Sequence, residues 1–377
     1  MKYLDEYRDS LVTARLIKRL SALTEACGPD GVTVMHVCGS HERAIARFGL
    51  RAILPPALEV IMGPGCPVCV TDAPEIDEAV SLALDGRVVL TYGDMLRVPG
   101  TRMSLADAKA MGADVRIVYG PGAAIALARG EPDRDVVFFA TGFETTAAPT
   151  AGVILAGPPP NLSILSAHKY IPPVMEIIAE MPQSRVQGFL AAGHAATVTG
   201  WGIFEAFVRR HGLPVVVGGF EPVDILAALI DLVDLIREGR ADVRNAYPRC
   251  CTREGNLALQ RALWEVFEPG GGRWRGIAHV PNGNLRIRDA YRAYDARARF
   301  RINIDSFTAS GLSDLARTCI CGDIMSGVAS PVDCVLFGKE CQPIEPVGAC
   351  MVSTEGTCRI WYEYGGQSER LAGTILG

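Results

Sequence analysis

The sequence predicts an α/β protein: two similar parallel-sheet α/β units followed by a mostly helical, cysteine-rich C-terminal domain. Eight short β-branched runs, each ending in a Gly-rich or polar turn, predict the strands. The stretches between them leave room for a crossover helix and two loops, which predicts parallel pairing with both sheet faces buried. Beyond Cys319 the chain turns rich in Gly, Pro and Cys with little periodicity, so that segment needs a staple other than apolar burial.

In chain order, the first 27 residues carry apolar positions at helical spacing (Leu4, Tyr7, Leu11, Ala14, Ile17) and read as an N-terminal helix or two. The strands of the first unit are Val32–Val37, Glu59–Met62, Val88–Thr91 and Val115–Tyr119. Those of the second are Val136–Ala140, Leu162–Ala167, Val186–Ala191 and Val215–Val217. Asp77–Leu84 and Pro173–Ala179 read as flanking helices. After Glu221 the pattern turns helical over Val223–Glu238 and Leu257–Val266, and Pro269–Gly272 reads as a loop. The expected domains are residues 1–120, 121–222 and 223–377.

Composition narrows the function. A net charge of −5 without a basic stripe argues against nucleic acid as the main partner. Met1–Ser10 mixes acids and bases, unlike a secretory signal, and no apolar run approaches the ~20 residues that span a bilayer. A cytoplasmic protein without a membrane role is expected. In that compartment twelve cysteines point to metal binding or thiol redox chemistry rather than stable disulfides.

Six of the cysteines, at 319, 321, 334, 341, 350 and 358, fall in the C-terminal segment. No CxxC knuckle of the zinc type occurs among them, and six thiols exceed the four that one zinc or one four-iron cluster takes. The spacing favours an iron–sulfur site with two thiols left for a redox pair, against a zinc-stapled tail with two spare buried cysteines.

Three more cysteines end predicted strands. Cys38 lies in HVCGSHE, and Cys66 and Cys69 lie in GPGCPVCV. Functional groups of open α/β sheets gather at the carboxyl ends of strands, and a thiol at a helix start is eased toward thiolate. Cys66 and Cys69 form a CxxC suited to a reversible disulfide or a two-thiolate clamp. His41 could serve as a base, and Glu42 follows it. Read singly, Cys38 is a small buried residue and His41 and Glu42 are helix-start polar groups; read together with the distant cysteines, they form a site. His168, Lys169, His194 and Glu221 follow later strands and are expected in the crevice of the second unit, while His36 reads as a packed core histidine. No P-loop occurs, and the turns Gly120–Gly122 and Gly142–Thr146 read as tight strand–helix connections.

HVCGSHE, GPGCPVCV, YGDMLRVPG (Tyr92–Gly100), ATGFETT (Ala140–Thr146), GGFEPVDIL (Gly218–Leu226) and YPR…EGN (Tyr247–Asn256) occur in order before the cysteine tail. Together they resemble the hydrogenase maturation factor HypD family over nearly the whole chain. The resemblance implies two α/β domains plus a third with a 4Fe-4S cluster. It also implies two partners, a HypC-type chaperone and a HypE-type cyanide donor, that jointly assemble the Fe(CN)2CO group of nickel–iron hydrogenases. By the same resemblance Cys38 matches the iron-binding thiol, Cys66 and Cys69 the redox pair, and His41 and Glu42 polar residues beside the iron. The family's cluster surroundings resemble those of ferredoxin:thioredoxin reductase, which implies Cys319, Cys334, Cys341 and Cys358 as cluster ligands and Cys321 with Cys350 as the adjacent thiol pair. Cys250 and Cys251 have no counterpart in that pattern and read as spare thiols, with a different ligand set that includes them left open. Two other readings use the same cysteines: a ferredoxin-dependent thiol–disulfide oxidoreductase, and a zinc-stapled binding protein.

Overall fold

All eight expected strands form, with ends displaced by a few residues. In a computed structural model that describes residues 5–305 and 314–365, they are β1 (Val32–His36), β2 (Leu58–Met62), β3 (Val88–Thr91), β4 (Val115–Ile117), β5 (Val136–Gly142), β6 (Leu162–His168), β7 (Phe189–Ala192) and β8 (Val215–Gly218). Leu4 lies outside the described residues; the helix expected around it runs over Ser10–Glu25, capped by the Asp9 carboxylate on the amides of Leu11 and Val12. Asp77–Leu84 belongs to a longer helix, Ala73–Leu84, started by an Asp72/Glu75 capping box with Pro74 in its first turn. β5 and β6 are buried along their whole length, as expected of strands covered on both faces.

The strands do not sort into sheets in the order of the chain. One parallel sheet has the order β4-β3-β5-β6, and the other has β2-β1-β7-β8-β9, with β9 at Val243–Asn245. The expected grouping of the first four strands against the second four is therefore corrected: the chain starts one sheet with β1 and β2, builds the other from β3 to β6, and returns. Periodicity announces a strand but carries nothing about its neighbour. The neighbour is decided by contacts far apart in sequence, here Met35 opposite Phe189 and His36 opposite Leu190.

The expected loop at Pro269–Gly272 is also corrected. It lies inside β10 (Phe267–Trp274), which pairs antiparallel with β11 (Ala278–Ile287). Gly and Pro disfavour strands taken alone, but a Cβ at Gly270 would run into Arg286 and one at Gly272 into Asn284. The glycines let partner side chains cross the ladder at a register shift between Gly270 and Gly272. After Thr318 the described residues form only short helices, among them Cys321–Met325, Ala349–Val352 and Thr357–Tyr364. Their buried Met325 and Met351, with Leu336, join the apolar core that includes Met35 of β1 and Met62 of β2. No described helix is long and apolar enough to cross a membrane.

Candidate functional site

Because β1 lies between β2 and β7, the loops that leave the carboxyl ends of these strands meet. Cys38 follows β1 in extended conformation and sits at the N-cap position of the helix Gly39–Arg47, where the nearby Ser40 and His41 amides ease its sulfur toward thiolate. Burial, followed by the Glu355 carboxylate, still pushes the thiol up to about 12. His194, the second residue after β7, brings Nδ1 to 4.0 Å from the Cys38 sulfur. The expected crevice of His194 thus turns out to be that of Cys38. Phe220, after β8, stands between His41 and His194 with ring centroids 4.8 and 5.0 Å away. Burial brings His41 down to about 3 and His194 to about 4, so both imidazoles are neutral near pH 7.

His41 and Glu42 point to different tasks. The His41 Nε2–H donates to the carbonyls of Gly219 (3.0 Å) and Gly218 (3.3 Å). Carbonyls only accept, so Nε2 carries the proton and Nδ1 holds a free lone pair. That buried Nδ1 has no hydrogen-bond partner among the described residues. Glu42, also buried, accepts from His36 Nε2 (2.7 Å), Arg51 (2.5 Å) and Trp361 Nε1 (2.7 Å). Burial pushes its carboxyl up, but Arg51, His36 and Trp361 outweigh that and hold it at about 2. Its oxygens are engaged in tying three segments together.

The CxxC loop follows β2. Cys66 caps a short helix, Pro67–Val70, and is joined to Cys69 in a disulfide with the Cα atoms 5.3 Å apart; both are fully buried. Gly65 accepts a hydrogen bond from the Gly39 amide (3.0 Å), which lays this loop directly against the backbone of Cys38. On its other side the short helix packs against Ala349–Val352, the helix that carries Cys350.

The C-terminal cysteines gather beyond that contact. Cys319 lies close to Cys321, and Cys321, Cys350 and Cys358 neighbour one another. Donation from Cys321 and Cys350 pulls Cys358 down to about 6. The Cys341 sulfur accepts from the Val347 amide at 3.4 Å, and Cys334 is half-buried in a turn whose carbonyl accepts from Phe337. No three of the described Cys, His, Asp or Glu side chains form a ready-made metal cage. Space for the thiols depends on Gly348, where a Cβ would stand 2.6 Å from the Cys321 sulfur and 2.7 Å from that of Cys319.

Other residues singled out from sequence are engaged elsewhere. Lys169 is buried against Glu75 (2.7 Å) and Asn284 (3.1 Å), and His168, at the end of β6, bonds Thr150 (3.1 Å) on the helix Glu144–Leu155. Glu221 pairs with Arg8. The Cys251 thiol donates to the Gly193 carbonyl (3.0 Å), backing the residue that precedes His194, while Cys250 is exposed. Sequence reasoning passed over three residues. Phe220 fills the gap between two imidazoles, Glu355 bonds Ser40 (2.8 Å), and the Arg275 side chain joins the carbonyls of Thr71 (2.7 Å) and Pro99 (2.6 Å). Phe220 sits inside a quoted motif, Glu355 lies in the cysteine tail and Arg275 falls outside both, and nothing in a motif says what lies across from it.

Known proteins match this architecture along its length. The family model HypD, described as "Hydrogenase formation hypA family", matches residues 12–365. The hydrogenase maturation factor HypD of Azotobacter vinelandii is 44% identical over 380 residues, covering 98% of each chain. That of Cupriavidus necator is 41% identical over 377 residues, covering 97% of each. A putative hydrogenase expression/formation protein of Methanocaldococcus jannaschii is 41% identical over 360 residues, covering 94% of this chain and 98% of its own. With matches this long and this similar, the chain belongs to the HypD family of hydrogenase maturation factors.

Proposed function

We propose that this chain holds iron through Cys38 while the Fe(CN)2CO group of nickel–iron hydrogenases is assembled, together with a HypC-type chaperone and a HypE-type cyanide donor. The observation that carries the proposal is the meeting of Cys38, His194, His41 and the Cys66–Cys69 pair at the ends of adjacent parallel strands. Iron with cyanide and carbonyl ligands favours soft, electron-rich donors, and a thiolate qualifies. A second thiolate from the chaperone completes the clamp, and the free Nδ1 of His41 offers a buried acceptor nearby.

The C-terminal thiols fit an iron–sulfur group by number and softness. Cys319, Cys334, Cys341 and Cys358 would hold a 4Fe-4S cluster, and Cys321 with Cys350 would form the adjacent pair. Bound there, the cluster supplies electrons one at a time. Cys350, on a helix packed against the CxxC helix, stands on the short route to Cys66 and Cys69. Reducing that disulfide takes two electrons and two protons and yields two thiols.

Cys38→Ala is expected to abolish the Fe–CN and Fe–CO infrared stretches of the anaerobic complex with the chaperone while the brown cluster absorption stays. Intact stretches in this variant would sink the assignment. Gly348→Ala is expected to lower iron and acid-labile sulfide severalfold, because the added methyl occupies the space of the Cys319 sulfur and of its neighbour Cys321; unchanged contents would mean that Cys319 does not hold the cluster. A free-standing thiol–disulfide oxidoreductase is the second reading, favoured by the pairing of Cys66 with Cys69. It predicts reduction of a protein disulfide by the wild-type chain without any infrared stretches.

A further inference from the structure

Ser353–Cys358 is a short segment that touches both cysteine sites. At one end Ser353 donates to the Asp94 carboxylate (3.1 Å), which fixes the segment to the loop after β3. In the middle Glu355 accepts from the Ser40 hydroxyl (2.8 Å), and its own amide donates to Ser353 Oγ (3.2 Å). Glu355 presses on the Cys38 loop so closely that a Cβ at Gly39 would stand 2.6 Å from the Glu355 Cβ and 2.5 Å from its carbonyl oxygen. At the other end Gly356 lies flat on the Cys350 carbonyl, where any Cβ would overlap it. Thr357 is buried against Met62, and Cys358 shares thiol contacts with Cys321 and Cys350. Under this cover Cys38 is only 2% exposed.

We infer that Ser353–Cys358 is a latch over Cys38, that Glu355 is its positioning residue, and that the arrangement of the C-terminal thiols governs access to Cys38. The inference rests on the reading of Cys38 as the iron-binding thiol. It adds a reason for the distant cysteines to share a fold with it: a shift at Cys350 reaches Ser40 through six residues of backbone, Cys350 to Glu355. Packed elements respond to such a shift as a unit, because a close-packed contact deforms little. Iron and a partner's thiol reach Cys38 when the Ser40–Glu355 bond opens.

The test is the rate at which iodoacetamide modifies Cys38 in the full-length, anaerobically purified chain, read by peptide mass mapping at one fixed pH. Glu355→Ala is expected to speed modification about tenfold, the equivalent of losing one hydrogen bond to a charged group. Glu355→Gln is expected to speed modification much less than Glu355→Ala, because the amide oxygen accepts the same bond from Ser40 and only the charge beside Cys38 is lost. Gly356→Ala, which touches Cys350 and not Cys38, is expected to speed modification as well. Hydrogen exchange at the Gly39–Glu42 amides should rise in the same variants while exchange in β5 stays unchanged. If Glu355→Ala also loosens β5, Ser353→Ala takes its place, since it frees the segment from Asp94 instead. An unchanged rate in both of these, or equal rates for Glu355→Gln and Glu355→Ala, overturns the latch. An unchanged rate in Gly356→Ala overturns the link to the C-terminal thiols. None of these rates needs bound iron, so failure of the latch and failure of the iron-binding reading are told apart by the infrared result for Cys38→Ala.

Discussion

Glu42→Ala is expected to destabilise the protein by about 3 kcal/mol, measured as a lowered urea midpoint with an unchanged slope. The carboxylate is fully buried and is the common acceptor for His36, Arg51 and Trp361. Removing it leaves the buried His36 imidazole and the half-buried Arg51 guanidinium and Trp361 indole facing each other without their acceptor. Breaking one partner out of a buried charged network is costly because the others stay desolvated. Arg51 is 18% exposed and can turn toward water, which keeps the expected loss at the lower end of the range for such sites. The same carboxylate shapes the acid limb of stability. Its folded value of about 2 lies below its ordinary 4.5, so its contribution is complete above pH 4.5 and is lost as pH falls through 2. Between those values the stability of Glu42→Gln should fall less steeply than that of the wild type. Parallel acid limbs would show that the network does not act through ionised Glu42.

Gly65→Ala is expected to cost about 3 kcal/mol or more and to remove iron binding at Cys38, measured by urea unfolding and by the infrared stretches of the chaperone complex. A Cβ at this position would fall on the amide nitrogen and Cα of Cys38 and on the carbonyl carbon of Val37. All three are backbone atoms, so no side chain can swing aside. The ends of β1 and β2 would have to part, breaking the Gly39–Gly65 (3.0 Å) and Gly63–His36 (2.8 Å) hydrogen bonds. Gly122→Ala makes the contrast. It lies in the helix Pro121–Gly130 with open space around it, and alanine there should stabilise by up to about 1 kcal/mol. If Gly65→Ala behaved like Gly122→Ala, the two loops would not be in contact.

Much of the fold is legible in the chain because its causes are local. The eight β-branched runs became strands, and the apolar spacing of Leu257–Val266 became a helix with those bounds. Pro269–Gly272 was misleading for the same reason, since its local preferences are those of a turn and only Arg286 and Asn284 opposite make a strand of it. The site divides along the same line. Cys38 and the CxxC pair were visible because thiols at strand ends are chemically conspicuous. His194 was visible as a residue but was placed in the wrong company, because its position beside Cys38 follows from β1 pairing with β7. Glu42 was visible as a helix-start carboxylate, but Arg51 and Trp361 make it a structural tie.

By itself, then, the sequence determined the elements, the family and the reactive residue types, all of which depend on side chains within a few positions of one another or on motifs read in order. Only the tertiary structure decided which strands share a sheet, that His194 and Phe220 close the Cys38 pocket, and that Glu355 lies on Ser40. These are contacts between segments up to 315 positions apart. They are selected by register and close packing summed over the whole core, and no local pattern in the chain encodes that sum.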